Sequence, residues 1–404
     1  MLTQKTIEII QSTVPVLEEK GVEITSVFYK NLFESHPELL NIFNHANQKK
    51  GRQQTALANT VYAAAKHIHQ LHMILPAVKQ IAHKHRSLGV KAEHYPIVGE
   101  HLLQAIKQVL GEAATPEIIN AWAEAYGVIA DVFIESEKEL YEVADWSGFK
   151  PFKVVRIEKE SESITSFYLE LPEGLPAFKP GQYISVRVSI PGETYTMNRQ
   201  YSLSGSKEMP HLRISVKREG GPETEAGKVS NYLHDHIAVG DMIEISAPAG
   251  EFTLNEAAET PVTFISGGVG ITPFMSMLRT IAVEQTEREV TFVHATQNSS
   301  THAFVKETAS LCAKLPNSRM FAFYSSPLDE DCTDLRFYKE GLISKDDLER
   351  ILQNKEGEFY ICGPVLFMKA MIQNLLSLGV EGDKINYEFF GPAMDLKIDV
   401  QPVS

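Results

Sequence analysis

The sequence predicts a multidomain α and β protein of three consecutive units: an all-α block, an antiparallel β-barrel, and an α/β unit with a parallel sheet. Three observations carry this. Apolar residues recur at helical spacing up to about residue 145, and near residue 150 the period becomes two. After Pro261, short apolar strands alternate with helical stretches, and the first of them runs into a glycine turn at Gly267–Gly270. The expected units are 1–145, 150–257 and 258–404, with Asp145–Pro151 as the linker, in keeping with about 150 residues per domain in a chain of 404.

In the first unit Ile7, Ile10, Val14 and Leu17, then Ile24, Val27, Phe28 and Leu32, fall at steps of mostly three and four. Gln53–Leu71 reads as one helix, Pro76–Ser87 as another and Pro96–Leu110 as a third. A last helix opens at Thr115, a side-chain cap followed by Pro116 in the first turn, and extends to about Tyr141. In the second unit, residues 153–160, 164–171, 182–190, 211–219 and 241–250 alternate, and Arg199 opens a further strand. Pro172, Gly174, Pro180, Gly181, Gly220, Gly221 and Gly240 punctuate them, the pattern of a small antiparallel barrel. In the third, residues 262–268, 291–296, 320–326 and 358–364 read as buried strands of a parallel sheet.

Composition narrows the function. With 38 basic and 52 acidic residues the net charge is −14, which repels nucleic acid and anionic lipid. No apolar run approaches the roughly 18 to 20 residues of a membrane span, and the first ten residues lack a signal peptide's basic and apolar regions. Cys312, Cys332 and Cys362 are too scattered for a disulfide framework or a zinc site. The expectation is a cytoplasmic protein with no nucleic-acid partner and no stable membrane insertion.

A strand, then Gly268, Gly270 and Pro273, then a helix would offer free backbone N–H groups and a helix dipole to a pyrophosphate; the same glycines would also suit a tight turn alone. Arg199, Gln200, Tyr201 and Ser202 combine a phosphate-binding fork, a ring for stacking and a hydroxyl donor. Taken in order, Pro180–Tyr183, Arg199–Ser202, Gly227–Ser230, Gly267–Pro273 and Cys362–Pro364 resemble the ferredoxin–NADP reductase superfamily over residues 152–404. The resemblance implies an FAD-binding barrel followed by a nicotinamide-binding domain. By it, Tyr183, Arg199, Gln200, Tyr201, Ser202, Gly227, Val229 and Ser230 would hold FAD. Gly267, Gly268, Val269, Gly270, Ile271 and Thr272 would receive the dinucleotide, and Cys362 would lie near the nicotinamide or be a buried structural thiol. Gln297–Thr301 offers neither an acid for a ribose hydroxyl nor an arginine for a 2′-phosphate, so NADH and NADPH both stand, the resemblance leaning to NADH.

Most of the 14 histidines, His67, His69, His72, His83 and His101 among them, read as surface or satisfied core residues. His85 differs: it ends a helix with Ala77, Val78 and Ile81 on one face, and Gln53 opens the helix before it. Two facing helices, one offering an imidazole and one an amide, can clamp a flat macrocycle, and imidazole is a good axial haem ligand. With Phe43, Tyr29 and Leu57 the block resembles the globins, and a globin joined to such a reductase resembles the flavohaemoglobin family over the whole chain.

That resemblance implies haem b, FAD, and NADH or NADPH as cofactors, and His85 as the iron ligand. Phe43 and Leu57 would line the haem, while Tyr29 and Gln53 would hydrogen-bond dioxygen. Tyr95 and Glu137 would form a relay that makes the proximal imidazole electron-rich. Lys84 and Phe390 would lie between haem and flavin, with Phe389, Gly391 and Pro392 in the same C-terminal motif. Plainer roles stand beside these: helix entry for Tyr95, a solvated carboxylate for Glu137, a surface cation for Lys84. The implied activity is nitric oxide dioxygenation, with O2, NO and NAD(P)H as partners and a large apolar pocket that leaves room for a lipid chain. The alternatives are an NAD(P)H-driven reductase with another acceptor and a gas-sensing globin.

Overall fold

The computed structural model describes residues 2–172, 174–220, 226–331 and 337–391. The first unit comprises α1 (Gln4–Ser12), α2 (Val14–Ser35), α3 (His45–Lys49), α4 (Arg52–Lys66), α5 (Leu75–Leu88), α6 (His94–Leu110) and α7 (Pro116–Glu142). Thr3 caps α1 and Thr115 caps α7, each side chain accepting from a backbone N–H three residues on. The apolar face of α1 and α2, with Ile10, Leu17, Ile24, Phe28 and Leu32, meets Leu102 and Ile106 of α6 and Trp122 of α7 in one core. The helix expected over Gln53–Leu71 stops at Lys66. Ile68 turns inward to the core, and Gln70 N–H bonds the His67 carbonyl at 2.7 Å in a tight turn that hands the chain to α5.

The second unit is six strands and a helix: β1 (Phe149–Lys159), β2 (Ile164–Glu170), β3 (Tyr183–Val188), β4 (Met197–Ser202), β5 (Leu212–Lys217), α8 (Lys228–His236) and β6 (Met242–Ser246). Every ladder in the order β4-β3-β6-β1-β2-β5 is antiparallel, and a Leu203–Ile214 bridge brings the two edge strands together. β1 begins at Phe149, inside the stretch read as linker, because Phe149–Phe152 already pair with β6. Trp146 is buried against the barrel core, so the join is a packed seam.

The third unit runs β7 (Val262–Gly267), α9 (Thr272–Glu284), β8 (Val290–Thr296), α10 (Val305–Cys312), β9 (Ser318–Tyr324), β10 (Phe337–Glu340), α11 (Lys345–Ile351), β11 (Glu358–Cys362), α12 (Val365–Ser377) and β12 (Ile385–Glu388). The sheet order is β10-β9-β8-β7-β11-β12, all parallel. The order reverses between β7 and β11, so a crevice opens at their carboxyl ends, where such sheets bind ligands.

Two seams join the units. Asn41 Oδ1, between α2 and α3, accepts from Thr196 N–H at 2.9 Å, and Asn198 Nδ2 donates to the Asn41 carbonyl at 2.7 Å. Between barrel and third unit, Arg213 of β5, fully buried, donates to Glu307 of α10 at 2.7 and 3.0 Å, and Arg279 of α9 donates to the same carboxylate at 2.6 Å. Among the described residues no helix is long and apolar enough to cross a membrane.

Candidate active site

The proximal cluster comes from α5, α6 and α7. His85 Nδ1 donates to Glu137 Oε1 at 2.7 Å, and the Tyr95 hydroxyl donates to the same oxygen at 2.5 Å, 3.3 Å from the imidazole. Glu137 is only 2% exposed and therefore not a solvated carboxylate. Burial first, then the adjacent Glu137 charge, hold the Tyr95 phenol well above its ordinary range, so it stays a donor. With Nδ1 turned to the carboxylate, Nε2 is the ring nitrogen left to face an iron, on a ring that is one-third exposed.

The distal cluster comes from α2 and α4. Tyr29 is buried in an aromatic cage, 4.8 Å from the Phe28 ring and 5.7 Å from Phe33 and Phe43. Burial pushes its phenol far up, and the nearby Gln53 side chain opposes this. Gln53 Oε1 is buried without a partner. Leu57 and Phe43 are half-buried against the same core. The geometry therefore brings Tyr29, Phe43, Gln53 and Leu57 together, and the residues fit an enclosed haem with one polar ligand.

On the barrel, Tyr183 of β3 lies opposite Ser202 of β4, and Ile184 opposite Tyr201. Period-two alternation puts Arg199 and Tyr201 on one face and Gln200 and Ser202 on the other. The half-buried Arg199 guanidinium donates to the Asn198 carbonyl at 2.7 Å and pairs with no carboxylate among the described residues; burial lowers its pKa. Burial raises the Tyr201 phenol, against the pull of Arg199. Gln200 Nε2 donates to Ser185 Oγ at 3.0 Å, which meets Ser87 Oγ of α5 at 2.9 Å. Gln200 thus faces the globin seam. Gly227 caps α8, a helix the sequence reading missed; Ser230 Oγ bonds the Gly227 carbonyl and Glu219 N–H, both at 3.1 Å, and Val229 is core. Gly227 N–H donates to the Glu219 carbonyl at 2.9 Å, which leaves the first-turn N–H groups of Val229 and Ser230 to meet a phosphate.

In the third unit, Gly268 takes φ +53°, which favours glycine, and a Cβ on Gly270 would stand 2.2 Å from the Cys362 carbonyl oxygen. That close approach brings the turn against the end of β11. Gly267 is tight against Phe367 and Pro364, and Thr272 Oγ1 closes the turn on the Val269 carbonyl at 3.0 Å. Val269 is half-buried, while Ile271 and Thr272 point inward, so backbone again faces the crevice. Cys362 is fully buried; burial and then the Glu388 charge push its thiol far up, as for a structural thiol at the crevice floor.

Lys84 is half-buried and faces Glu388 of β12; burial lowers the lysine and raises the carboxyl to about 7, each opposed by the other's charge. Phe389 packs on the third-unit core, Gly391 lies against its ring, and Phe390 is exposed. Pro392 lies outside the described residues. Sequence reasoning missed Arg86, Ser87 and Ser185, and treated His83 as ordinary. His83 Nδ1 accepts Gly250 N–H at 3.1 Å, and burial lowers its pKa to about 4.

Family models match in the same order: Globin over residues 26–133, Oxidoreductase FAD-binding domain over 151–254, and Oxidoreductase NAD-binding domain over 264–373. The flavohemoprotein of Bacillus cereus (strain ATCC 10987 / NRS 248) is 56% identical, covering 98% of this chain and 100% of its own. A crystal structure of the Malassezia yamatoensis flavohemoglobin, described with bound FAD and heme, superposes with TM-score 0.84 at 28% identity, covering 96% of this chain and 100% of its own. The FAD/NAD-binding domain of nitric oxide dioxygenase from Vibrio cholerae superposes with TM-score 0.55 at 38% identity, covering 60% of this chain and 99% of its own. Since likeness at this identity spans the globin, the barrel and the parallel sheet without a break, the chain belongs to the flavohemoprotein family, an oxidoreductase whose cofactors are haem, FAD and a nicotinamide nucleotide.

Proposed function

We propose that this chain is a nitric oxide dioxygenase, oxidising NO to nitrate with O2 and NAD(P)H. The observation that carries the reading is the pair of clusters in the globin unit: a buried phenol in an aromatic cage with the Gln53 amide beside it, and a carboxylate-backed imidazole. The Vibrio cholerae neighbour, named for this activity, supports it. FAD bound to the barrel would divide a hydride pair into single electrons, and haem bound at His85 would supply the iron that takes O2. His85 would hold the haem, and Glu137 with Tyr95 would fix its tautomer and raise its basicity. Tyr29 would donate to the bound gas, with Gln53 Nε2 as the second donor beside it, and the cage would exclude water. Arg199 and the α8 N-terminus would hold the FAD phosphates; the backbone of Gly268–Gly270 would hold the dinucleotide. The free thiols of Cys312 and Cys362 suit a reducing compartment such as the cytoplasm.

Aerobic NO consumption by the holoenzyme with NADH is expected to yield one nitrate per NO. NADH oxidation without nitrate would favour a reductase for another acceptor; gas binding without turnover would favour a sensor.

Arg199→Ala is expected to weaken FAD binding by about tenfold to a hundredfold, since a hydrogen bond to a charged group contributes about 1.5–3 kcal/mol. The haem spectrum should not change, because Arg199 lies outside the globin. Equilibrium dialysis of FAD alongside the Soret band measures both.

A further inference from the structure

Arg86 follows His85 directly, and its side chain leaves the globin. The guanidinium is 5% exposed, donating through Nη1 to the Ala247 carbonyl at 3.0 Å and through Nη2 to that of Pro248. Neither acceptor is charged. No carboxylate among the described residues forms an ion pair with it, and Nε is buried without a partner. The ionisable groups that act on it are the phenols of Tyr183 and Tyr141, which burial keeps protonated. A buried cation lacking a counter-ion is costly, and arginine cannot shed its proton to escape. In a chain of net charge −14, this cation stands in an interior without an acid beside it.

The loop it clamps packs against Tyr183, one of the residues that would hold FAD. Ala249 and Tyr183 exchange backbone hydrogen bonds at 2.9 and 2.8 Å, a Cβ on Gly250 would touch the Tyr183 ring at 2.9 Å, and Ser87 Oγ meets Ser185 Oγ, two residues along the same strand, at 2.9 Å. His83, Arg86 and Ser87 thus grip the barrel around Tyr183 while His85 faces the other way. We propose that Arg86 is the counter-charge for an anionic group that a cofactor brings to the haem–flavin seam: the ring of reduced flavin beside Tyr183 or a haem carboxylate. Its direction, away from the globin core and toward the Tyr183 loop, favours the flavin. In a low-dielectric seam a fixed cation stabilises the more negative redox state. This rests on the cofactor set and is independent of which substrate is oxidised.

The test is a redox titration of both cofactors in the holoenzyme and in Arg86→Met and Arg86→Lys. In Arg86→Met the flavin midpoint is expected to fall, so that reduced FAD binds at least about tenfold more weakly relative to oxidised FAD than in wild type. Arg86→Lys, which keeps the charge and loses the fork, should stay within about threefold of wild type. A fall confined to the haem midpoint would assign the anion to the haem carboxylate and sustain the proposal. Midpoints unmoved in Arg86→Met, with only thermal stability lowered, would overturn it and leave a structural clamp. If Arg86→Met fails to fold, a shift in Arg86→Lys as large as tenfold would overturn it as well, since the charge is still there.

Discussion

A His85→Ala variant is expected to purify with under about a tenth of the wild-type haem while keeping one FAD per chain. The neighbouring histidine cannot substitute. His83 is turned about 200° around α5 from His85, and its Nδ1 is engaged by Gly250 N–H at the barrel seam. Glu137 and Tyr95 would be left facing each other across the vacated imidazole site, a buried carboxylate with one donor fewer, which adds a folding penalty of about 1–3 kcal/mol. Pyridine haemochrome and flavin absorbance on the same sample measure both cofactors. A full-strength five-coordinate ferrous spectrum would show that another residue ligates the iron.

The second large effect is expected from Tyr29→Phe. The change keeps the ring in its cage with Phe28, Phe33 and Phe43 and removes only the hydroxyl. A hydrogen bond to a charge-bearing ligand contributes roughly 1.5–3 kcal/mol, so O2 release from the reduced protein should accelerate by about tenfold to a hundredfold. Flavin reduction by NADH, seated in the other units, should be unchanged. Stopped-flow displacement of O2 by CO measures the off-rate. A value within about twofold of wild type would mean that the hydroxyl serves only its bond with Gln53.

The helical period of α2 and the capping threonine of α7 were legible because each is a local rule, satisfied within a turn or two. The carboxyl-edge glycines were legible for the same reason: strand, tight turn and helix follow one another in sequence. β10 and β12 were not, since each is a four-residue sheet edge with too little pattern to separate from loop. Gln200 shows the limit inside a motif. Read as a string, Arg199–Ser202 is one set, but a strand's alternation splits it, and Gln200 meets Ser185, which joins Ser87 of the globin unit. Arg86 was illegible because its partners are carbonyl oxygens 161 and 162 residues away, and a carbonyl leaves no mark in a sequence.

The carboxylate of Glu307, held by one arginine from the barrel and one from its own unit, has a consequence for inheritance. Two sheets with two cores invite exchange of the nicotinamide half for another, as cassettes are exchanged. Here a graft that kept Arg213 and brought a neutral residue at 307 would strand a buried guanidinium that is 1% exposed. The cut that separates these halves therefore falls across a shared ion triad, and an exchanged half must bring an acid at position 307 with it.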